Sequence, residues 1–309
     1  MSTKLQPEAS AEAAIEDVIR RIDPRATGLY SPEYLRALIT DSLTNTYEDE
    51  ELKAFKCVLA DCDRFIDVGA NVGQYAYNAN LAMRGGEIVC IEANPFLIPV
   101  LEALAAHAQQ QHGRGNDITV AHAAVSDRKG QVKLFVSTFA PGSSLVSQCD
   151  SGHETAVDGV PLDAFYRPSH KTMIKIDIEG AEYRALIGAE SFLSSVHTVW
   201  FCELHGWGDA ELGKYPLDVC RLFRRNGYAI RHVGARSRNH YFFYKAGPLA
   251  RWFAFAAALP RLGTMAFVYR HAKFCVPFIR FLRDRVIWKN ATSGHSRTRQ
   301  AATLNGSPK

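Results

Sequence analysis

Five side chains in this sequence have the types and spacing to do chemistry at one place: Asp67, Glu92, Asp177, Glu203 and His205. Each acid ends a short apolar run, RFID, EIVCIE, TMIKID and VWFCE. Such runs read as buried strands, and acids at the carboxyl ends of parallel strands stand where open α/β sheets bind ligands. Strand ends are also simply where polar residues resume, but four acids together with a glycine turn favour a ligand-binding edge. His205 adds an imidazole two residues past the last acid, and a neutral imidazole can take a proton near pH 7. Glu203 or Asp177 would orient it or serve in its place. Asp177, Glu203 and His205 could instead hold a divalent metal, Mg²⁺ or Mn²⁺, which would lower the pKa of a bound alcohol. No spacing in the sequence requires one.

The first two acids belong to one unit, RFIDVGANVGQYAYNANLAMRGGEIVCIEANP (64–95), read as strand, glycine turn, helix, strand and acid. Gly69 and Gly73 let the backbone turn sharply and come close to a ligand. Glu92 stands where ribose hydroxyls would lie. The turn DVGANVG is not the dinucleotide pattern G-x-G-x-x-G. Asp67 would repel a pyrophosphate and attract the ammonium of an amino-acid-bearing cofactor. That favours S-adenosylmethionine over NAD, with a nicotinamide-dependent oxidoreductase as the alternative.

The elements that must position these groups follow from periodicity. Helices are predicted over 8–21, 32–40 and 47–60, the second capped by Ser31-Pro32-Glu33, and together they make a helical collar ahead of the sheet. Within it, Tyr47-Glu48 stands as an exposed helix start or a ligand contact. A long helix starts at Pro95, a third strand spans 118–125, and 131–136 forms a hairpin with it through Asp127–Gly130. Residues 137–159 read as a long functional loop over the cofactor edge. Strands at 172–177 and 196–203, a helix at 214–226 and an antiparallel pair at 228–233 and 240–245 complete a mostly parallel sheet with one reversed strand.

The length of 309 residues, with 47% apolar and 22% charged, suits a large globular core with appendages. Seven cysteines without a C-x-x-C pair give neither a disulfide framework nor a zinc site, and the polar N-terminus lacks a signal-peptide core. Both point to a cytoplasmic location. Residues 248–309 carry eleven Lys/Arg against the single acid Asp284, a net +10, and leave 25 basic against 31 acidic residues elsewhere. The aromatic, apolar and basic stretch 248–289 reads as an amphipathic helical extension lying on an anionic membrane, or as a helix pair packed on the core or forming a homodimer. Nucleic acid is the weaker partner, because the stretch is more apolar than phosphate tracking needs. The division is thus a helical segment (1–60), a catalytic domain (61–247), the basic extension (248–289) and a disordered tail (290–309).

FIDVGANVGQYA (65–76), CIEANP (90–95), AAVSDRKGQVKLFV (123–136), VPLDAF (160–165), MIKIDIEGAEYRALIGA (173–189) and FCELHG (201–206), with Tyr47-Glu48 ahead of them, also carry a family resemblance. In that order, across about 47 to 245, the chain resembles an FkbM-type class I S-adenosylmethionine-dependent methyltransferase. The resemblance implies a Rossmann-like α/β fold with a seven-stranded sheet and O-methylation of a hydroxyl on a sugar, glycolipid or related metabolite. It implies that Asp67, Gly69, Asn71 and Gly73 line the methionine end of the cofactor. Glu92 would hold the ribose, and Ala123, Ala124 and Val125 the adenine side. Asp177, Glu179 and Glu182 match the family's second block, and Glu203 with His205 the segment after the fifth strand. A membrane-docked binding module that keeps the fold without turnover is the non-enzymatic alternative.

Overall fold

The computed structural model describes residues 7–23, 25–45, 49–112, 114–137, 142–146, 153–234 and 239–251, with Ala254 and Ala258 beyond them. The strands are β1 (Arg64–Val68), β2 (Glu87–Glu92), β3 (Asp117–His122), β4 (Ala124–Val125), β5 (Gly130–Val136), β6 (His153–Val160), β7 (Thr172–Ile176), β8 (Thr198–Glu203), β9 (Tyr228–Val233) and β10 (His240–Lys245). Seven of them form one sheet in the order β3-β2-β1-β7-β8-β10-β9. β10 runs antiparallel to both neighbours, and the other pairs are parallel. This is the Rossmann-like α/β fold with a seven-stranded sheet that the resemblance implies, mostly parallel with one reversed strand. The chain winds outward from β1 through β2 to β3, then returns to β7 on the other side of β1. A crevice opens at such a switch point, beyond the carboxyl ends of the strands.

Burial on both faces explains why the strands read as continuous apolar runs rather than alternating ones. All five residues of β1 and of β7 are buried. Ile66, Val68, Ile174, Ile176 and Trp200 pack on one side with α6 (Glu182–Ile187), α7 (Glu190–Ser194) and α8 (Pro216–Arg225). Phe65, Met173 and Phe201 point the other way, toward α3 (Asp49–Leu59), α4 (Gln74–Ala82) and α5 (Ile98–His112). Phe55 of α3 sits in that second layer, its ring 5.1 Å from Phe65 and 5.0 Å from Tyr75. The third collar helix is therefore part of the core. α1 (Pro7–Arg21) and α2 (Pro32–Thr44) pack on α5 and on Val72 of the glycine turn. The Ser31 hydroxyl caps α2 by accepting from the Tyr34 N–H at 3.2 Å, as its sequence implies.

Three expectations change. The third strand breaks at Ala123, and Ala124–Val125 joins a separate small sheet of order β4-β6-β5. The 131–136 segment makes no hairpin with it, because β6 inserts between them, parallel to β4 and antiparallel to β5. The last seven residues of the supposed long loop, 153–159, thus belong to the eight-residue β6. Its sequence, HETAVDGV, has no clear alternation of apolar residues to mark it as a strand.

Cys57, Cys62, Cys90, Cys202 and Cys220 are free thiols, and the last three are buried. Among the described residues, no helix is long and apolar enough to cross a membrane. At the start of the basic extension, 248–251 is helical, and Ala254 and Ala258 pack against the α6–α8 side of the core. Tyr47-Glu48, 138–141, 147–152 and nearly all of 252–309 lie outside the described residues.

Candidate active site

The glycine turn is shaped by the protein around it. The N–H groups of Gly69 and Ala70 donate to the Ile91 carbonyl at 2.9 and 3.1 Å, which staples the turn to the end of β2. Gly69 has φ +79°, and a Cβ there would collide with the carbonyl oxygen of Asp177. Gly73, at φ +96°, faces Leu101 and Leu104 of α5 in the same way. Sequence reasoning assigned these glycines to close approach of a ligand. In the structure they also let β1 approach the end of β7 and α4 approach α5.

Asn71 also takes a left-handed conformation, φ +52°, uncommon outside glycine but tolerated by asparagine. Its N–H donates to Glu92 Oε2 at 2.8 Å, and the Asn94 N–H donates to Glu92 Oε1 at 2.7 Å. Burial raises the Glu92 pKa, opposed by these backbone donors. Each oxygen keeps a lone pair for a ligand hydroxyl. Asn71 Oδ1 is buried with no hydrogen-bond partner among the described residues. On the far side of Glu92, the Asn94 amide donates to Tyr30 Oη at 2.8 Å and to Ser143 Oγ at 3.2 Å, and Tyr30 donates to the Ser137 carbonyl at 3.0 Å. The collar thus reaches the nucleotide side through Tyr30, which no sequence pattern marked. The Ala123 N–H donates to the Glu92 carbonyl at 3.0 Å, and Ala123, Ala124 and Val125 are buried beside it.

Asp67, 1% exposed, lies beneath the turn with Lys175 Nζ at 3.6 Å. Neither of its oxygens has a hydrogen-bond partner among the described residues. Burial pushes its pKa up to about 6, against the pull of Lys175. Lys175 also reaches Asp177 Oδ2 at 3.2 Å and lies over the Tyr75 ring. It bridges the two strand-end acids. A lysine in the apolar run TMIKID was a visible signal that went unused.

The second half of the site grows from the end of β7. The Asp177 N–H donates to the Val68 carbonyl at 3.0 Å, which sets Asp177 beside the glycine turn. Its carboxyl is held below the ordinary range: burial raises it, and Lys175, His205 and His240 together outweigh that. Glu179 has φ +53°, a strained conformation for a residue with a Cβ. Its carbonyl is clamped by Ser144 Oγ at 2.7 Å and Trp207 Nε1 at 2.9 Å. Glu182 opens α6 and accepts from the Gly180 N–H at 3.0 Å with the same oxygen that lies 2.6 Å from His205 Nδ1.

His205 is thereby turned so that Nε2 faces Glu179 Oε2 at 3.5 Å, Asp177 Oδ1 at 3.8 Å and Glu203 Oε1 at 3.9 Å. Burial lowers its pKa, but Glu179, Glu182 and Glu203 more than reverse this and hold it well above the ordinary histidine value. His240 Nε2, from β10, lies 3.6 Å from Glu203 Oε2. Asp177, Glu203 and His205 can each offer one donor atom within 4.8 Å of the others. The structure thus gathers Asp67, Gly69, Asp177, Glu203 and His205 at one sheet edge, with Asn71, Glu92 and Ala123–Val125 on its β2 side. Sequence reasoning missed Lys175, Tyr30, Asn94, Ser144, Trp207 and His240.

The model of the methyltransferase FkbM domain matches residues 67–230, from Asp67 through the acid cluster and into β9. No curated protein matches the sequence significantly. Among solved structures, the chain is similar to a precorrin-6y C5,15-methyltransferase from Geobacter metallireducens GS-15, at 14% identity, 63% of this chain, 88% of that one and a TM-score of 0.37. It is similar to a magnesium protoporphyrin IX methyltransferase from Synechocystis PCC 6803 with bound SAM, at 10%, 80%, 100% and 0.39. It is also similar to an O-methyltransferase from Bacillus cereus in complex with SAH, at 10%, 78%, 92% and 0.37.

Proposed function

The chain belongs to the FkbM methyltransferase family, and from that premise we propose that it transfers a methyl group from S-adenosylmethionine to a hydroxyl of a sugar, glycolipid or related metabolite. The observation that carries this reading is the contact of Gly69 with Asp177, which puts a nucleotide-type turn and a proton-handling cluster at one crevice. Buried polar atoms with no hydrogen-bond partner among the described residues fit the cofactor. Asp67 Oδ1 and Oδ2 and Asn71 Oδ1 are acceptors that an ammonium can satisfy directly or through water. Glu92, fixed by two backbone donors, offers its free lone pairs to the ribose, and Ala123, Ala124 and Val125 line the adenine side. A nicotinamide oxidoreductase is disfavoured by the family and by the absence of G-x-G-x-x-G.

The cofactor supplies an electrophilic methyl carbon on a sulfonium. The chain's task is to align the acceptor and take its proton, because an alcohol is a poor nucleophile until that proton leaves. Asp177, Glu203 and His205 are our catalytic assignment, with Glu182 holding the imidazole. Isothermal titration of S-adenosylhomocysteine tests the cofactor, and its absence of binding would remove the reading. Turnover across a panel of sugars and glycolipids separates an enzyme from a binding module.

A lipid-linked acceptor would also give the basic extension 248–289 a purpose, docking on an anionic membrane. Sedimentation with anionic liposomes, comparing the full chain with one ended at residue 247, tests it. Equal partitioning of the two refutes that role.

A further inference from the structure

We propose that Asp177, Glu203 and His205 form a divalent-cation site that binds and acidifies the acceptor hydroxyl, a deepening that rests on the methyl-transfer reading above. The donor spacing suits an ion. One atom from each residue lies within 4.8 Å of the others. Donors bound at roughly 2.0 to 2.6 Å around one cation stand about 3 to 5 Å apart.

The imidazole supplies a second, independent indication. His205 is 6% exposed, and its Nε2 makes no hydrogen bond to the described residues although three carboxylates face it at 3.5 to 3.9 Å. A buried ring nitrogen aimed into acids, yet too far from them to bond well, leaves room for an atom between. The other nitrogen is anchored on Glu182 at 2.6 Å, the carboxylate–histidine arrangement that orients metal-binding imidazoles. Charge balance points the same way. Asp67, Asp177, Glu179, Glu182 and Glu203 bring five carboxylates to this edge, whereas Lys175 and His240 carry at most two positive charges once His205 Nε2 is deprotonated to ligate. Buried charge without compensation is costly, and a dication offsets most of the excess.

Carboxylate oxygens with one imidazole suit Mg²⁺ or Mn²⁺, and three protein ligands leave coordination positions open. An acceptor with two adjacent oxygens, such as a vicinal diol, would fill two of them. The held hydroxyl then gives its proton to the Glu179 carboxylate. Its oxygen's electron pair forms the new O–CH₃ bond, and the C–S bonding pair departs on sulfur to leave S-adenosylhomocysteine. Glu179 is suited to this because its clamped, left-handed backbone fixes where the carboxylate stands.

The test is titration of Mn²⁺ into the full chain, followed by loss of the free-ion signal in electron paramagnetic resonance. The expected result is sequestration by the wild type, weakened at least about tenfold in Asp177→Asn, Glu203→Gln and His205→Ala, all with unchanged circular dichroism. Glu203→Gln is the conservative variant on a partly exposed side chain, should the others fail to fold. No sequestration by the wild type, or equal sequestration by folded variants, overturns the site. S-adenosylhomocysteine calorimetry on the same samples separates the two readings. Cofactor binding without Mn²⁺ sequestration sinks the metal site and leaves methyl transfer standing. Site-dependent Mn²⁺ sequestration without cofactor binding supports the metal site and counts against methyl transfer.

Discussion

Glu182 Oε1 lies 2.6 Å from His205 Nδ1 and accepts from the Gly180 N–H at 3.0 Å, so one carboxylate locks both the start of α6 and the imidazole ring. Both side chains are almost fully buried, at 3% and 7% exposure. A short, enclosed contact of this kind fixes which ring nitrogen faces the crevice.

Replacing that carboxylate while keeping its shape isolates the orienting role. We predict that Glu182→Gln lowers kcat/KM by about 10- to 100-fold. S-adenosylhomocysteine affinity, measured by calorimetry, should stay at the wild-type value, since Glu182 is distant in sequence and role from Glu92 and the glycine turn. A parallel loss of cofactor binding would show that Glu182 holds the whole edge together instead.

Asp67 sets up a conflict between stability and binding. Its pKa is about 6 in the folded chain against an ordinary 3.8. Between those values the folded state holds a proton that the unfolded state has released, so stability falls as pH rises through this window. Above pH 6 the deficit is complete, about 3 kcal/mol at 1.36 kcal/mol per pKa unit. Asp67→Asn should therefore raise the Tm at pH 8, leave it nearly unchanged at pH 4, and weaken S-adenosylhomocysteine binding. Thermal melts at the two pH values check the first part, and an Asn variant less stable at pH 8 refutes it.

Gly69→Ala adds one carbon where two strand ends meet. The left-handed φ alone costs about 1 to 2 kcal/mol, and the new Cβ meets the Asp177 carbonyl. Displacing Asp177 and the turn together should reduce both cofactor affinity and Mn²⁺ affinity. Calorimetry and paramagnetic titration read the two losses separately, and loss of only one would mean that the halves of the site are not coupled through this contact.

Phe55 tests whether the third collar helix belongs to the core. Its ring is fully buried among Phe65, Tyr75 and Phe201. Phe55→Ala should cost about 3 to 5 kcal/mol, read from denaturant unfolding. A loss under 1 kcal/mol would mean that α3 is a detachable lid.

Much of this was legible before any coordinates. Continuous apolar runs marked β1, β2, β7 and β8 because those strands are buried on both faces, and the acids that ended them fell at the crevice. The two-residue β4 and the pairing of β5 with β6 were not legible, because three short strands sharing a sheet depend on which segment slides between the others. Register in such a sheet is a long-range matter that turn residues such as Asp127–Gly130 do not decide. The carboxylates around His205 were not legible for a related reason. Residue type alone says nothing of Glu179, Glu182 and Glu203, which raise the imidazole's pKa against the effect of burial.

The sequence by itself determined the buried strands of the main sheet, the glycine turn and the residues at the strand ends, since burial and backbone geometry act through local pattern. Only the tertiary structure decided that Gly69 makes room for Asp177, that Lys175 stands between Asp67 and Asp177, and that Tyr30 reaches Asn94 beside Glu92. Each of these contacts joins segments that become neighbours when β7 docks beside β1 or the collar folds back. Local propensity carries no information about that docking; packing and the pairing of buried charge do.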